Sequence, residues 1–218
     1  MSKIQADILA EAVDKILESS KKAKRGFVET VELQVGLKGY DPAKDKRFAG
    51  SIVVPYPCKR KLRVCIIGDQ IHCDQAAKDG LPFISVDDVK NYKGKGNAKK
   101  AKKLNQSYDV FFASDTIIKK LPRLMGPSLQ RAGKFPTPIT QNDSLIAKAN
   151  ESKATVKFQL KKVIDMSCAI GDVALKSEEL QTNITFAVNF LVSLLKKHWQ
   201  NIKSIHIKTT MGAPERIY

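Results

Sequence analysis

The sequence predicts a mixed fold: a discontinuous α+β domain built from residues 1–58 and 154–218, with an α/β domain of residues 59–153 inserted between its halves. Three observations predict it. Near both ends, strand-length segments alternate apolar and polar residues, as in a sheet covered on one face only. In the middle, two segments are apolar almost without interruption, as in a parallel sheet buried on both faces. Around them lie segments of helical period, the longest ones close to the two ends.

The elements follow in order. Ile4, Ile8, Leu9, Val13, Ile16 and Leu17 recur at helical spacing, Ser2 is placed to cap the start, and a basic run, Lys21-Lys22-Ala23-Lys24-Arg25, is closed by Gly26. Val31, Leu33, Val35 and Leu37 alternate with Glu32, Gln34, Gly36 and Lys38, which gives a strand with one apolar face. Tyr40-Asp41-Pro42 is a turn, and Ser51 to Val54 is a short strand stopped by Pro55-Tyr56-Pro57. Leu62 to Ile67 is a doubly buried strand ending in Gly68-Asp69, followed by a short helix over Gln75 to Asp79 and by Pro82-Phe83-Ile84-Ser85. A lysine-rich stretch lies between Asp87 and Leu104. Tyr108 to Ala113 is a second buried strand, Thr116 to Leu121 a helix interrupted by Pro122, and 122–142 a Pro- and Gly-rich loop with short helical turns at most. Val156, Phe158 and Leu160 restore the alternating style, with Asp165 to Ile170 as a strand partner. Residues 178–198 carry the widest helical stripe (Leu180, Ile184, Ala187, Val188, Leu191, Leu194, Leu195), with Ser177 as its cap, and Ser204 to Lys208 is the last strand.

The 218 residues hold 38 Lys and Arg against 22 Asp and Glu, a formal net charge of +16, and 43% of them are hydrophobic. That hydrophobic fraction excludes wholesale disorder. No apolar run is long enough to span a bilayer, and Met1-Ser2-Lys3-Ile4-Gln5 has no signal-peptide core, so no membrane association is expected. The cysteines, Cys58, Cys65, Cys73 and Cys168, lack the close pairs of a zinc site and read as reduced thiols of a cytosolic protein. The surplus of charge points to a polyanion. It is spread over both parts: 19 Lys and Arg against 9 Asp and Glu between 58 and 153, and 19 against 13 elsewhere. Its densest cluster is Lys93, Lys95, Lys99, Lys100, Lys102 and Lys103. Lysine attracts phosphate without fixed geometry, which suits backbone contact better than base reading.

Chemical motifs are absent. Gly126 to Gly133-Lys134 has six residues between its glycines and Phe135 after the lysine, so the spacing and the magnesium-binding hydroxyl of a phosphate loop are missing. Gly94-Lys95-Gly96 has no preceding apolar strand and no third glycine. His72, His198 and His206 are scattered, and no serine or cysteine has a visible base partner. No catalytic residue, metal or cofactor is expected.

Several stretches together resemble one family. Lys208-Thr209-Thr210-Met211-Gly212-Ala213-Pro214 is similar to the Thr-Met-Gly signature of the universal large-subunit ribosomal stalk proteins, called L-one in bacteria and L-ten-a in eukaryotes. Arg123 to Pro127 and Ala132-Gly133-Lys134-Phe135-Pro136 resemble that family's central elements, Phe27 to Leu33 its first strand, and Asn189 to Asn201 the eukaryotic last helix. The resemblance runs essentially end to end. It implies a terminal α+β RNA-binding domain with an inserted Rossmann-like three-layer α/β domain. It also implies a monomer within the large ribosomal subunit, at work on ribosomes in the cytoplasm after nucleolar assembly. Its partners would be stalk ribosomal RNA and deacylated tRNA leaving the exit site. In bacterial and archaeal relatives the protein also binds its own mRNA, so the resemblance implies a second reading, a translational regulator that uses the same surface. A third, an enzyme or small-ligand protein using the insert, rests on the Gly68-Asp69 strand end alone.

Carried over residue by residue, the resemblance places RNA contacts at Phe27, Glu29, Thr30, Lys208, Thr209, Thr210, Met211 and Gly212. Threonine hydroxyls can donate to and accept from 2′-hydroxyls, Gly212 leaves room for a ribose, and Met211 and Phe27 can lie on sugars or bases. Glu29 departs from charge logic; it would accept from a 2′-OH or base amine, or orient a lysine. Lys21, Lys22, Lys24 and Arg25 are phosphate contacts near this patch, and Lys99, Lys100, Lys102 and Lys103 are phosphate contacts on the insert.

Overall fold

The computed structural model describes residues 3–42, 44–92, 98–125, 128–161 and 163–218. The chain divides into two compact units, Met1–Arg60 with Lys153–Tyr218, and Lys61–Ser152.

In the first unit, helix α1 (Ala6–Ala23) turns Leu9, Ala12, Val13, Ile16 and Leu17 into the core and leaves Ile8 exposed. Ser2 lies outside the described residues, and Gln5 takes the N-cap position. The helix closes on Lys24, which adopts the left-handed conformation (φ 41°), rather than on Gly26. Strand β1 (Thr30–Leu37) buries Val31, Leu33, Val35 and Leu37, as its alternation predicts. Its sheet is antiparallel and four-stranded. β1 lies between β8 (Asp165–Asp172) and β9 (Ile202–Thr209), and β10 (Glu215–Arg216) lies outside β9. Helix α9 (Ser177–Leu194) packs with α1 over the apolar face and buries Leu180, Ile184, Ala187, Val188 and Leu191. Burying one such side chain is worth about 1.5–3 kcal/mol. Ser177 does not cap α9. Lys176 holds that position, its amide donating to Glu179 Oε2 at 3.0 Å, and the Ser177 hydroxyl donates instead to Asp14 of α1 at 2.8 Å. Lys196 lies past the helix end and pairs with Asp45 at 2.9 Å.

The expected pairing of the strands around 156–160 and 165–170 is not what forms. β7 (Thr155–Gln159) pairs with β2 (Ala49–Val53) in a separate antiparallel ribbon, and β8 pairs with β1. Shape decides this. Gly50 of β2 sits so close to α9 that a Cβ there would lie 2.8 Å from Leu194, so the ribbon rests directly on the helix. β8 instead matches Met166 and Cys168 to Val35 and Leu33 across the sheet.

The second unit is a parallel sheet in the order β4–β3–β5–β6: β3 (Val64–Gly68), β4 (Phe83–Ser85), β5 (Val110–Ser114) and β6 (Thr137–Ile139). Its helices are α2 (Gln70–Lys78), α3 (Val86–Lys90), α4 (Ala98–Ser107), α5 (Asp115–Ile118), α6 (Leu121–Met125), α7 (Ser128–Arg131) and α8 (Leu145–Ala154), the last running across the boundary between the units. The unbroken apolar runs have a plain cause. Cys65, Ile67, Phe111 and Ala113 serve one core, and Val64, Ile66 and Phe112 serve another on the opposite face. Two expectations fail here. The stretch 122–142 contains a strand, β6, which tolerates Pro138 because it lies at the sheet edge. Pro122 does not end a helix; it sits in the first turn of α6, where no main-chain donor is missed.

Candidate nucleic-acid interface

Pairing of β1 with β9 is what builds the site. The register sets Val31 opposite Thr209 and Glu32 opposite Lys208. The residues that precede β1 therefore lie beside the turn that follows β9. Thr210 fastens the two segments: its hydroxyl accepts the Thr30 amide at 3.0 Å and donates to the Thr30 carbonyl at 3.3 Å. The turn itself closes through the Gly212 amide, which donates to the Thr209 carbonyl at 3.2 Å.

Two of the predicted contacts lie beneath the surface. Glu29 is 2% exposed and Thr209 is 0% exposed, because the strand ends that carry them face the core side of the sheet. Glu29 holds the site from below. It receives the Ser20 hydroxyl on Oε2 and the Met211 amide on Oε1 at 3.1 Å, and it pairs with Arg25 at 3.1 Å. Burial pushes its pKa up. The Ser20 hydroxyl, the Met211 amide, the Arg25 guanidinium and the Thr209 hydroxyl outweigh burial and hold the carboxyl below its ordinary value. The cation it orients is thus an arginine, not a lysine. Arg25 also donates to the Met211 carbonyl at 3.4 Å, which holds the turn from a second side.

The room left by Gly212 is used internally. A Cβ there would lie 2.3 Å from Thr209 Oγ1, so the glycine is needed to admit the buried hydroxyl. What reaches the surface is apolar. Met211 is 65% exposed, Phe27 53% and Val28 60%. Lys21 and Lys24 are exposed beside them in sequence, while Lys22 is shared with Glu18 at 3.8 Å. Thr30, Lys208 and Gly212 are half-buried.

The sheet face turned away from α1 and α9 extends this surface. Gln34 and Gly36 of β1, Ser204 and His206 of β9, and Asp165 and Ser167 of β8 line a shallow depression. Sequence reasoning recorded the polar positions of β1 as a solvent face and overlooked those of β8 and β9. Their small hydroxyl-bearing side chains were the available signal.

In the second unit, α4 turns Ala101 and Asn105 inward and exposes Lys99, Lys100, Lys102 and Lys103, none of them in an ion pair among the described residues. Lys93 and Lys95 lie outside the described residues. The ends of β3 and β5, where a doubly wound sheet takes its ligands, are filled by the protein's own groups. Asp69 accepts the hydroxyls of Thr116 and of Ser114, the latter at 2.9 Å, and those bonds help to hold its pKa down. Among the described residues no group of His, Cys, Asp and Glu is arranged to hold a metal ion, and no helix is long and apolar enough to cross a membrane.

Residues 17–213 match the Ribosomal protein L1p/L10e family. The chain is 51% identical over 217 residues to the large ribosomal subunit protein uL1 of Drosophila melanogaster, covering 100% of the chain and 99% of that protein. It is likewise 51% identical over 218 residues to the proteins of that name from Oryza sativa subsp. japonica and Caenorhabditis elegans, with 100% of each chain covered.

Proposed function

Since the chain belongs to the ribosomal protein L1p/L10e family, we propose that it is a structural constituent of the large ribosomal subunit that binds stalk ribosomal RNA and assists the release of deacylated tRNA from the exit site. It works on cytoplasmic ribosomes after assembly in the nucleolus. The observation that carries the RNA reading is the Thr210–Thr30 fastening. It joins two segments 180 residues apart and leaves Met211, Phe27 and Val28 exposed near the exposed Lys21 and Lys24. An apolar patch with donors and acceptors at its edge suits the sugars and bases of folded RNA, and the lysines suit its phosphates. In this reading Met211, Phe27, Thr30, Thr210 and Lys208 touch RNA, and Glu29, Thr209 and Gly212 hold them in place. The α4 lysines form a separate phosphate-binding face.

Filter binding of a stalk-RNA fragment at fixed salt tests the reading. Met211→Asp weakens binding more than tenfold, a lost contact being worth about 1–3 kcal/mol. Lys21→Gln with Lys24→Gln flattens the salt dependence by roughly 0.7 to 0.9 in log–log slope per phosphate lost. Unchanged affinity in Met211→Asp would exclude this surface.

A further inference from the structure

We propose that Ser20 is a positioning residue for the RNA surface: its hydroxyl fixes the Glu29 carboxylate in the orientation that presents Oε1 to the Met211 amide. A serine in the last turn of a helix ordinarily bonds a carbonyl one turn back or faces water. Ser20 instead reaches Glu29, nine residues onward, and is half-buried in doing so.

The two carboxylate oxygens divide their work. Oε2 takes the Ser20 hydroxyl, while Oε1 takes the Met211 amide and Arg25 Nη1. With Oε2 held from α1, the plane of the carboxylate is set, and Oε1 points at the turn after β9. Without the hydroxyl, a buried oxygen loses its donor, and the carboxylate is free to rotate away from Met211 or to take up a proton. The groups that face Glu29 are Ser20 from α1, Arg25 from the α1–β1 link, the Thr209 hydroxyl from β9 and the Met211 amide from the turn. Across the sheet on β8, Asp172 stands opposite Thr30 and is paired with Arg60 at 2.6 Å. Among the described residues, Arg25 is the cation paired with Glu29, and it bonds Oε1, so it does not replace the Ser20 hydroxyl on Oε2.

The RNA half of this inference rests on the function proposed above; the turn half does not, so the two are read separately. Full-length wild type, Ser20→Ala and Ser20→Thr are compared by amide hydrogen exchange at Met211 without RNA, and by filter binding of the stalk-RNA fragment at neutral pH and fixed salt. Alanine is the best helix former, so Ser20→Ala leaves α1 intact. Its Met211 amide exchanges about fivefold faster and it binds RNA about fivefold more weakly at neutral pH, the loss of one hydrogen bond. Ser20→Thr, which keeps the hydroxyl, behaves as wild type. Wild-type exchange at Met211 in Ser20→Ala, or failure of Ser20→Thr to restore it, overturns the role of Ser20. If exchange responds as expected but wild type does not bind the fragment, the Ser20 brace stands and the RNA reading falls.

Discussion

The Thr210 side chain takes the place of a main-chain partner for Thr30. The regular β1–β9 register ends at Val31 and Thr209, and one residue further the Thr210 hydroxyl both accepts the Thr30 amide and donates to the Thr30 carbonyl. Only a hydroxyl offers both functions in so small a volume. Thr210→Val keeps the shape and removes both bonds. It is expected to cost about 1–3 kcal/mol, the penalty for stranding partly buried main-chain groups. Urea unfolding would show a lower midpoint with an unchanged slope. An unchanged midpoint would mean that water replaces the hydroxyl without loss.

Gly212 and Thr209 form a coupled pair. A methyl at 212 would overlap Thr209 Oγ1, and Thr209 is fully buried with a branched side chain that has few rotamers to escape into. Gly212→Ala is therefore destabilising by about 1–3 kcal/mol, as expected for overpacking. The double variant Gly212→Ala, Thr209→Ala relieves the overlap and recovers part of that loss. A double-mutant cycle from thermal unfolding measures the coupling, and strictly additive effects would refute it.

The two structural units were legible in the sequence to different depths. β1 and α9 announced themselves because each has one buried and one open face; burial follows the stripe residue for residue in β1, while α9 adds Asn183 and Val192 to it and leaves Leu194 partly open. The doubly buried β3 and β5 were legible for the opposite reason, being apolar almost without interruption until Ser114 at the end of β5. β6 was not, because three residues containing a proline carry no period, and only the neighbouring strand makes them a strand. Partner choice was also out of reach: the alternation in β7 and β8 is equally compatible with pairing to each other, and the fit of Gly50 against α9 is a tertiary fact. At the site, residue type located the segments but not the direction of each side chain. Glu29 and Met211 lie on segments that meet, yet one is buried and the other is the most open large apolar side chain described. Nothing local to either segment distinguishes a contact from a support.

On α4, stability and binding are expected to move in opposite directions. Lys99 and Lys103 are one turn apart and repel each other, as do Lys99 with Lys102 and Lys100 with Lys103. Lys99→Glu converts the first pair into an attractive Glu–Lys pair in the favoured order, worth roughly 0.2–0.5 kcal/mol on an exposed helix. The same change removes one positive charge and adds a negative one where a phosphate backbone would lie, so affinity for nonspecific RNA at low salt falls and its salt slope lessens. Thermal unfolding and a salt titration of binding measure the two quantities. A rise in both stability and affinity would show that the lysine face meets no polyanion.

Acid sensitivity should isolate Glu29. Its carboxyl is held below the ordinary value of 4.5 in the folded chain, so the folded state binds its proton less readily than the unfolded state does. The stabilisation this carries is complete above the unfolded value and is lost as the pH falls through the folded one. Glu29→Gln is nearly isosteric and does not titrate. It keeps one acceptor oxygen, replaces the other with a donor that faces the Ser20 hydroxyl or the Met211 amide, and leaves Arg25 without its anion. The variant is accordingly less stable than wild type at pH 7, and the gap between the two narrows as the pH is lowered below about 4.5. Other carboxylates titrate in the same range, but they do so equally in both proteins and cancel in the difference. Urea midpoints of the pair at pH 7 and near pH 3 supply the measurement; a gap that stays constant with pH would mean that Glu29 contributes through shape alone and not through its charge.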